Sequence, residues 1–168
     1  MAHRHEVKRR RFDAELDATL NAEAGRLEYW DSLFHLGNRY SWIELLESAM
    51  PLPGAVIECG VYRGASLFMM CREIARLSAS KKIYACDSFE GFPPENIGAE
   101  DRAIFRSQRK LRAKFKLAND IPDRIHRFSR HFDLPVDVVW GFFAETLPTL
   151  SEQEFCFIHL DVDVYASY

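Results

Sequence analysis

The chain has 168 residues, of which 48% are hydrophobic and 28% are charged, and its formal net charge is −3. This length and composition are typical of one globular domain with a core of its own, which excludes a disordered or fibrous protein. The weak negative charge gives no argument for nucleic-acid binding, and no apolar run reaches the length that a membrane span requires.

The first fifty residues are predicted to form a helical segment that caps the rest of the chain. Residues 3–11 are rich in arginine and lysine. They form either a solvated tail or a polyanion-binding segment, and both interpretations are open. Because this basic terminus lacks the apolar core of a signal peptide, we expect a cytoplasmic protein. From Phe12 to Leu36 the apolar residues recur loosely at helical spacing, which indicates helix.

A second helix is predicted just before residue 51. Ser41 and Glu44 have the spacing of a capping box, in which the serine hydroxyl and the glutamate carboxylate each accept a hydrogen bond from a backbone amide. This predicts a helix that starts near Ser41 and ends at about Met50, before the turn at residues 51–54. We expect the main domain to cover residues 51–168.

A glycine-punctuated turn lies at the start of this domain. The short, mainly apolar run at residues 56–59 leads to Gly60, and helical periodicity begins at Leu67, so the pattern predicts a strand, a loop and a helix. Glycine accepts a positive φ and has no Cβ, and a ligand of nucleotide size would therefore sit over Gly60. The alternative, a tight turn that binds nothing, is also open.

Three further strand-like runs follow, at Ile83–Cys86, Val136–Trp140 and Phe155–Leu160, and each ends in polar residues. Ligands of open parallel α/β sheets bind beyond the carboxyl ends of the strands. We therefore expect the four strand ends to converge on one crevice. The long crossover at residues 93–134 carries a basic segment at residues 102–116, which forms either a solvated helix face or a lid that contacts an anionic substrate.

Four motifs in this order resemble those of a known family. The segments Glu58–Gly64, Asp87–Pro93, Gly141–Pro148 and Leu160–Tyr165 are similar to successive motifs of the macrocin O-methyltransferases, which are class I enzymes that use S-adenosylmethionine. The resemblance implies a Rossmann-like three-layer αβα fold with strand order 3-2-1-4, after which the family has further strands. It also implies methyl transfer to a hydroxyl of a small, sugar-bearing molecule.

The resemblance places the cofactor at the ends of the first three strands. Asp87 closes the second strand, where a carboxylate can accept hydrogen bonds from both ribose hydroxyls. Glu58 is an acid at a buried strand end, which is costly unless a cation or donor meets it, and the resemblance assigns it to the amino group of the methionine portion. The glycine turn and the following helix start would line the rest of that portion, and Gly141 and Phe142 would flank the adenine. The expected cofactor-binding residues are Glu58, Gly60, Arg63, Gly64, Ser66, Asp87, Ser88, Gly141 and Phe142.

A metal site is expected after the fourth strand. Asp161 and Asp163 are two residues apart and point to the same side of an extended strand. Two neighbouring carboxylates favour a hard cation such as Mg²⁺, and the resemblance makes the first acid of this motif a metal ligand. An alternative is open, in which Asp163 is a structural cap and only Asp161 functions. His159 shares the face of Asp161 and is assigned no role.

The chain departs from the family pattern in two ways. Residues 93–125 contain no histidine, although the family has its catalytic base there, so the base is unassigned. The family also continues past the position of Tyr168 with more strands and a paired-aspartate motif. From this we expect no methyl transfer by this chain alone, and self-association through the apolar strand at residues 155–160. A cofactor-binding or interaction module without turnover is the alternative function.

Overall fold

The computed structural model describes residues 36–62, 64–77, 79–92, 98, 121–131 and 133–162. Its elements in chain order are helix α1 (Leu36–Ala49), strand β1 (Ala55–Cys59), helix α2 (Ala65–Arg76), strand β2 (Ile83–Asp87), helix α3 (Ile121–His131), strand β3 (Val136–Trp140), the short helix α4 (Phe143–Thr146), a 3-10 helix (Leu147–Leu150) and strand β4 (Phe155–Leu160). The four predicted strands are confirmed. Within the described ranges, no helix is both long and apolar enough to cross a membrane.

The chain divides into two compact units, described here one at a time. The helical unit comprises residues 1–51 and 65–80, and the sheet unit comprises residues 52–64 and 81–168. The predicted helix upstream of residue 36 and the basic segment at residues 102–116 lie outside the described residues. The predicted domain boundary at residues 50 and 51 stays a prediction.

The helical unit corrects one expectation about α1. The helix begins at Leu36, so Ser41 and Glu44 lie inside it and the predicted capping box is wrong. Once a helix has formed, each residue added to it gains a backbone hydrogen bond. A helix can therefore continue through a sequence that resembles a cap, provided that this sequence contains no helix breaker. Ser41 is exposed, which leaves its hydroxyl to solvent. The predicted end is confirmed, because α1 stops at Ala49.

Helix α2 buries the face that its sequence periodicity predicts. Leu67, Cys71 and Ile74 are completely buried, and they recur at the spacing of one helical face. Leu77, the fourth apolar residue predicted for this face, lies just after the helix and is 36% exposed. At the end of α2, Arg76 forms ion pairs with Glu73 of its own helix and Glu47 of α1. These charges join the two helices of the unit.

The sheet unit contains one parallel sheet in the order β3-β2-β1-β4. This confirms the predicted order 3-2-1-4. All five residues of β1 are buried, as expected for a strand in the middle of a parallel sheet. One face of the sheet packs under α4 and the 3-10 helix. This core consists of Ala55, Ile57, Cys59, Tyr84, Cys86 and Val162, with Val139, Phe143, Leu147, Leu150 and Phe155 packed against it.

Strand β4 pairs with β1 and forms one edge of the described sheet. Ile158 and Leu160 are more than half exposed there, at 57% and 51% of their possible surface. Strand β4 therefore has apolar side chains, Ile158 and Leu160, on a face that the described residues do not fully cover. This agrees with the sequence pattern of a strand suited to the interior of a sheet.

The amino ends of the strands carry their own polar contacts. The Lys82 ammonium lies 2.5 Å from the Asp137 carboxylate, which joins β2 to β3. The Tyr84 hydroxyl donates to the Gln153 side-chain oxygen at 3.0 Å. These contacts hold the amino edge of the sheet, which is the edge opposite the predicted crevice.

At the carboxyl edge, Gly60 permits a close approach of β1 and β4. Its φ is +93°, and a Cβ built on it would lie 1.9 Å from the carbonyl oxygen of Asp161. The sequence explained this glycine by the approach of a ligand. The structure instead gives a steric reason within the sheet, because the neighbouring backbone fills the space that a side chain would need.

We expect Gly60→Ala to destabilise the fold strongly. The positive φ costs about 1–3 kcal/mol for a residue with a side chain. Displacing the Asp161 backbone adds roughly 1–3 kcal/mol. The matched control is Gly141→Ala, since Gly141 has a φ of +146° but the atom that its added Cβ would meet among the described residues is a side-chain atom, the Thr146 methyl, at 2.8 Å. Urea unfolding should give a clearly larger loss for Gly60→Ala, and equal losses would contradict the steric argument.

Candidate functional site

Backbone hydrogen bonds hold the carboxyl ends of all four strands at one edge of the sheet. Each bond involves the residue directly after a strand and a carbonyl of the neighbouring strand, so the ladder extends beyond the strand ends. The donor–acceptor pairs are Gly60 to Cys86 at 3.0 Å, Gly141 to Asp87 at 3.1 Å and Asp161 to Cys59 at 2.9 Å. The convergence that the sequence predicted is therefore present in the sheet unit.

The turn after β1 is compact and has an unusual backbone. The Gly64 amide donates to the Val61 carbonyl at 2.8 Å, and φ is positive at Gly60, Tyr62 and Gly64. Glycine takes such conformations without strain, whereas Tyr62, with φ of +49°, needs support from its surroundings. Arg63, predicted to bind cofactor, lies outside the described residues.

Asp87 at the end of β2 supplies that support. Its carboxylate accepts hydrogen bonds from the Tyr62 amide at 2.8 Å and from the Phe89 amide at 2.6 Å. One side chain therefore holds both the turn after β1 and the loop after β2. Burial raises the pKa of the Asp87 carboxyl above its ordinary value, and the backbone amides around it oppose this shift by stabilising the charged form.

Two more of the predicted cofactor residues have structural contacts of their own. The Ser88 hydroxyl donates to the Gly91 carbonyl at 2.8 Å and accepts from the Glu90 amide at 3.2 Å, so it shapes the loop after β2. Ser66 is buried in the first turn of α2 and belongs to the helical unit. For both residues the expected contact with cofactor stays a prediction.

The end of β3 presents aromatic side chains. Trp140 is 48% exposed, and its ring meets that of the buried Phe89 edge to face, with centroids 5.9 Å apart. Gly141 follows, and the half-buried Phe142 precedes α4, where its carbonyl accepts from the Thr146 hydroxyl at 3.0 Å. The predicted adenine-flanking pair therefore lies next to an exposed aromatic surface that the sequence analysis did not identify.

Glu58 meets a histidine. Its side chain is completely buried, and its Oε1 lies 3.0 Å from Nδ1 of His159 on the neighbouring strand. The two residues are register partners in the β1–β4 pair, which puts them on the same face of the sheet. The sequence required a cation or donor for this buried acid, and the structure identifies His159 as that partner.

The contact with Glu58 also affects the pKa of His159. Burial lowers the pKa of the imidazole, but the hydrogen bond and the negative charge of Glu58 raise it more, and Asp161 adds to the rise. The net result is a pKa above the ordinary histidine value. The protonated form of His159 is thus favoured more than it is in a free histidine.

The predicted metal ligands are only partly described. Asp161 is exposed directly after β4, with its backbone held by β1. Asp163 lies outside the described residues. Among the residues that are described, no group of three or more histidine, cysteine, aspartate or glutamate side chains could hold a metal ion.

Several predicted residues thus lie at one edge, and the sequence missed some of their partners. Gly60, Asp87, Gly141 and Asp161 all follow or close a strand there, and Glu58 is one residue from the end of β1. The role of His159 was missed, although it could have been found as a histidine on the neighbouring strand opposite a buried acid. The local sequence gives no signal for the hydrogen bond from Tyr62 to Asp87.

The fold defines a Rossmann-like α/β protein, and comparison with known proteins narrows the class to a family of methyltransferases. A family model described as macrocin-O-methyltransferase (TylF) matches residues 44–168. The chain belongs to this family.

Three curated relatives of this chain are named as O-methyltransferases. The chain is 33% identical over 119 residues to the 8-demethyl-8-(2,3-dimethoxy-alpha-L-rhamnosyl)-tetracenomycin-C 4'-O-methyltransferase of Streptomyces olivaceus, a match that covers 69% of this chain and 45% of that protein. It is 31% identical to the demethyldecarbamoylnovobiocin O-methyltransferase of Streptomyces niveus, with coverages of 69% and 45%. It is 28% identical to the mycinamicin III 3''-O-methyltransferase of Micromonospora griseorubida, with coverages of 73% and 50%. The chain spans about half the length of these relatives.

Solved structures agree on the fold. The O-methyltransferase NovP superposes with a TM-score of 0.67 at 20% identity, covering 93% of this chain and 75% of that one. The calicheamicin methyltransferase CalS11 superposes with a TM-score of 0.59 at 17% identity, covering 79% and 56%. These similarities confirm the predicted Rossmann-like methyltransferase fold.

Proposed function

We propose that the protein binds S-adenosylmethionine at the carboxyl edge of the sheet and transfers its methyl group to a hydroxyl of a small, sugar-bearing molecule. Membership of the macrocin O-methyltransferase family supports the reaction class. The name of the Streptomyces olivaceus relative includes a rhamnosyl group, which supports a sugar-bearing acceptor.

The observation that carries the proposal is the position of Asp87. Its carboxylate closes β2 and holds the turn after β1 through the Tyr62 amide, so an acceptor of hydrogen bonds lies beside a glycine turn at a strand end. Ligands of open parallel sheets bind at such an edge. These acceptor groups also fit the cofactor chemically, because the Asp87 carboxylate can accept hydrogen bonds from ribose hydroxyls and the Glu58 carboxylate can pair with an ammonium group.

The residues at this edge then contact different portions of the cofactor. S-adenosylmethionine supplies an electrophilic methyl group on a sulfonium centre. Asp87 orients the ribose, Glu58 orients the amino end of the methionine portion, and Gly141 with Phe142 flanks the adenine. Fixing the cofactor at several points directs its methyl group toward the acceptor, and such positioning is a large part of catalysis in a group transfer.

We expect Asp87→Ala to weaken binding of S-adenosylhomocysteine. The loss of a charge-assisted hydrogen bond costs roughly 1.5–3 kcal/mol, which is about one to two decades in affinity. Isothermal titration calorimetry measures the change. The matched control is Asp137→Ala, which removes a half-exposed carboxylate from the amino edge of the same sheet and should bind as the parent does.

Because Asp87 also braces the turn after β1, a second arm separates ribose binding from loop structure. The 3'-deoxy analogue of S-adenosylhomocysteine should bind the parent protein about tenfold or more weakly than the natural ligand. It should bind Asp87→Ala almost as well as the natural ligand does, because contacting groups are not additive. A penalty that is the same for both proteins would remove Asp87 from the ribose contact.

A Mg²⁺ ion near Asp161 forms the second part of the proposal. The exposed Asp161 carboxylate directly follows β4 at the same edge as Asp87. Mg²⁺ binds oxygen ligands, keeps several waters, and often uses only one or two carboxylates. Asp161 would supply one ligand, and Asp163 stays a predicted second ligand. Such an ion would supply Lewis acidity next to the acceptor hydroxyl.

We expect Asp161→Asn to weaken divalent-metal binding by about tenfold or more, because the charge count of the ligands sets affinity at such sites. Titration with Mn²⁺ as a spectroscopic substitute for Mg²⁺, followed by electron paramagnetic resonance of the free ion, measures it. Asp137→Asn is the matched control and should leave binding unchanged. Equal Mn²⁺ affinity for the parent and Asp161→Asn would overturn the proposed ligand.

The remaining expectations stay predictions. They are the cytoplasmic localisation, the absence of methyl transfer by this chain alone, and the self-association through residues 155–160. The catalytic base is unassigned.

A further inference from the structure

Glu58 and His159 form a contact that the proposed chemistry does not yet use. The Glu58 side chain is completely buried, whereas that of His159 retains 16% of its possible exposure. A buried carboxylate is costly unless it is paired and hydrogen-bonded. The 3.0 Å contact between Nδ1 of His159 and Oε1 of Glu58 therefore serves the fold, and it also fixes the direction of a carboxylate near the end of β1.

The backbone makes this contact well determined. Glu58 and His159 are register partners, and pairing continues at Cys59 with Leu160. The Asp161 amide then donates to the Cys59 carbonyl at 2.9 Å, so β4 follows β1 to the carboxyl edge. The His159 imidazole is consequently carried by a strand whose backbone pairs with β1 both before and after the contact. A glutamate side chain alone has several rotamers, and the histidine selects among them.

Position links the pair to the cofactor edge. Glu58 lies two residues before Gly60, which begins the turn held by Asp87. A carboxylate that is already oriented binds a cation more tightly, because less conformational freedom is lost on binding. The role of His159 would then be to orient Glu58, with no direct contact to the ligand.

We propose that His159 is a positioning residue that holds the Glu58 carboxylate toward the ammonium group of the methionine portion of the cofactor. This inference rests on the proposed function. It assigns His159 to ligand selectivity, in particular to the preference for ligands with an amino-acid portion over those without one.

Two ligands test this selectivity directly. S-adenosylhomocysteine carries the amino-acid portion, and 5'-methylthioadenosine shares the adenine and the ribose but lacks it. Calorimetry with His159→Ala should show S-adenosylhomocysteine binding about ten- to a hundredfold more weakly, with 5'-methylthioadenosine unchanged. His159→Asn should retain much of the parent affinity for both ligands, because its amide can donate from nearly the position of Nδ1.

The controls separate a positioning role from a merely structural one. Glu58→Gln should reproduce the selective loss for S-adenosylhomocysteine. Gln153→Ala removes the hydrogen bond with Tyr84 at the amino edge and should affect neither ligand. Equal losses of both ligands in His159→Ala, or a selective loss in His159→Asn as large as that in His159→Ala, would overturn the inference alone. If the parent protein binds neither ligand, the proposed function fails as well.

Discussion

The pairing of β1 with its two neighbours is the constraint on which the rest of the site depends. Gly60 lies against the Asp161 backbone so closely that an added Cβ would be 1.9 Å from its carbonyl oxygen. This approach lets the hydrogen-bond ladder continue past the strand ends, and the ladder brings Gly60 and Asp161 to one edge. Gly60 and Asp161, two of the predicted site residues, are therefore positioned by backbone geometry before any side chain makes a contact.

Two acids, the half-buried Asp87 and the buried Glu58, then use this frame in different ways. Asp87 accepts from backbone amides and so stabilises a turn that contains a tyrosine in a left-handed conformation. Glu58 pairs with the imidazole of His159 across the β1–β4 register. Acids withdrawn from water cost stability unless they are hydrogen-bonded, so two of them near the carboxyl ends of neighbouring strands are more typical of a binding site than of a core.

Much of the fold was predictable because its signals are local. Short apolar runs ended by glycine or acid gave all four strands, and the resemblance of the motifs gave the strand order. The predicted start of α1 was wrong because a capping box is a local pattern, and a longer helix can continue through it. The partner of Glu58 was missed because strand register is a long-range property, and 101 positions separate Glu58 from His159. The sequence indicated that Glu58 needed a donor but could not show which one.

The central claim is that the cofactor binds at the carboxyl edge of the sheet. Nuclear magnetic resonance of ¹⁵N-labelled protein titrated with S-adenosylhomocysteine tests it most directly, because each backbone amide reports its own surroundings. We expect chemical-shift changes at Gly60, Tyr62 and Gly141, with Gly54 and Asp137 at the amino edge unaffected. Changes confined to the amino edge, or none at saturating ligand, would contradict the claim.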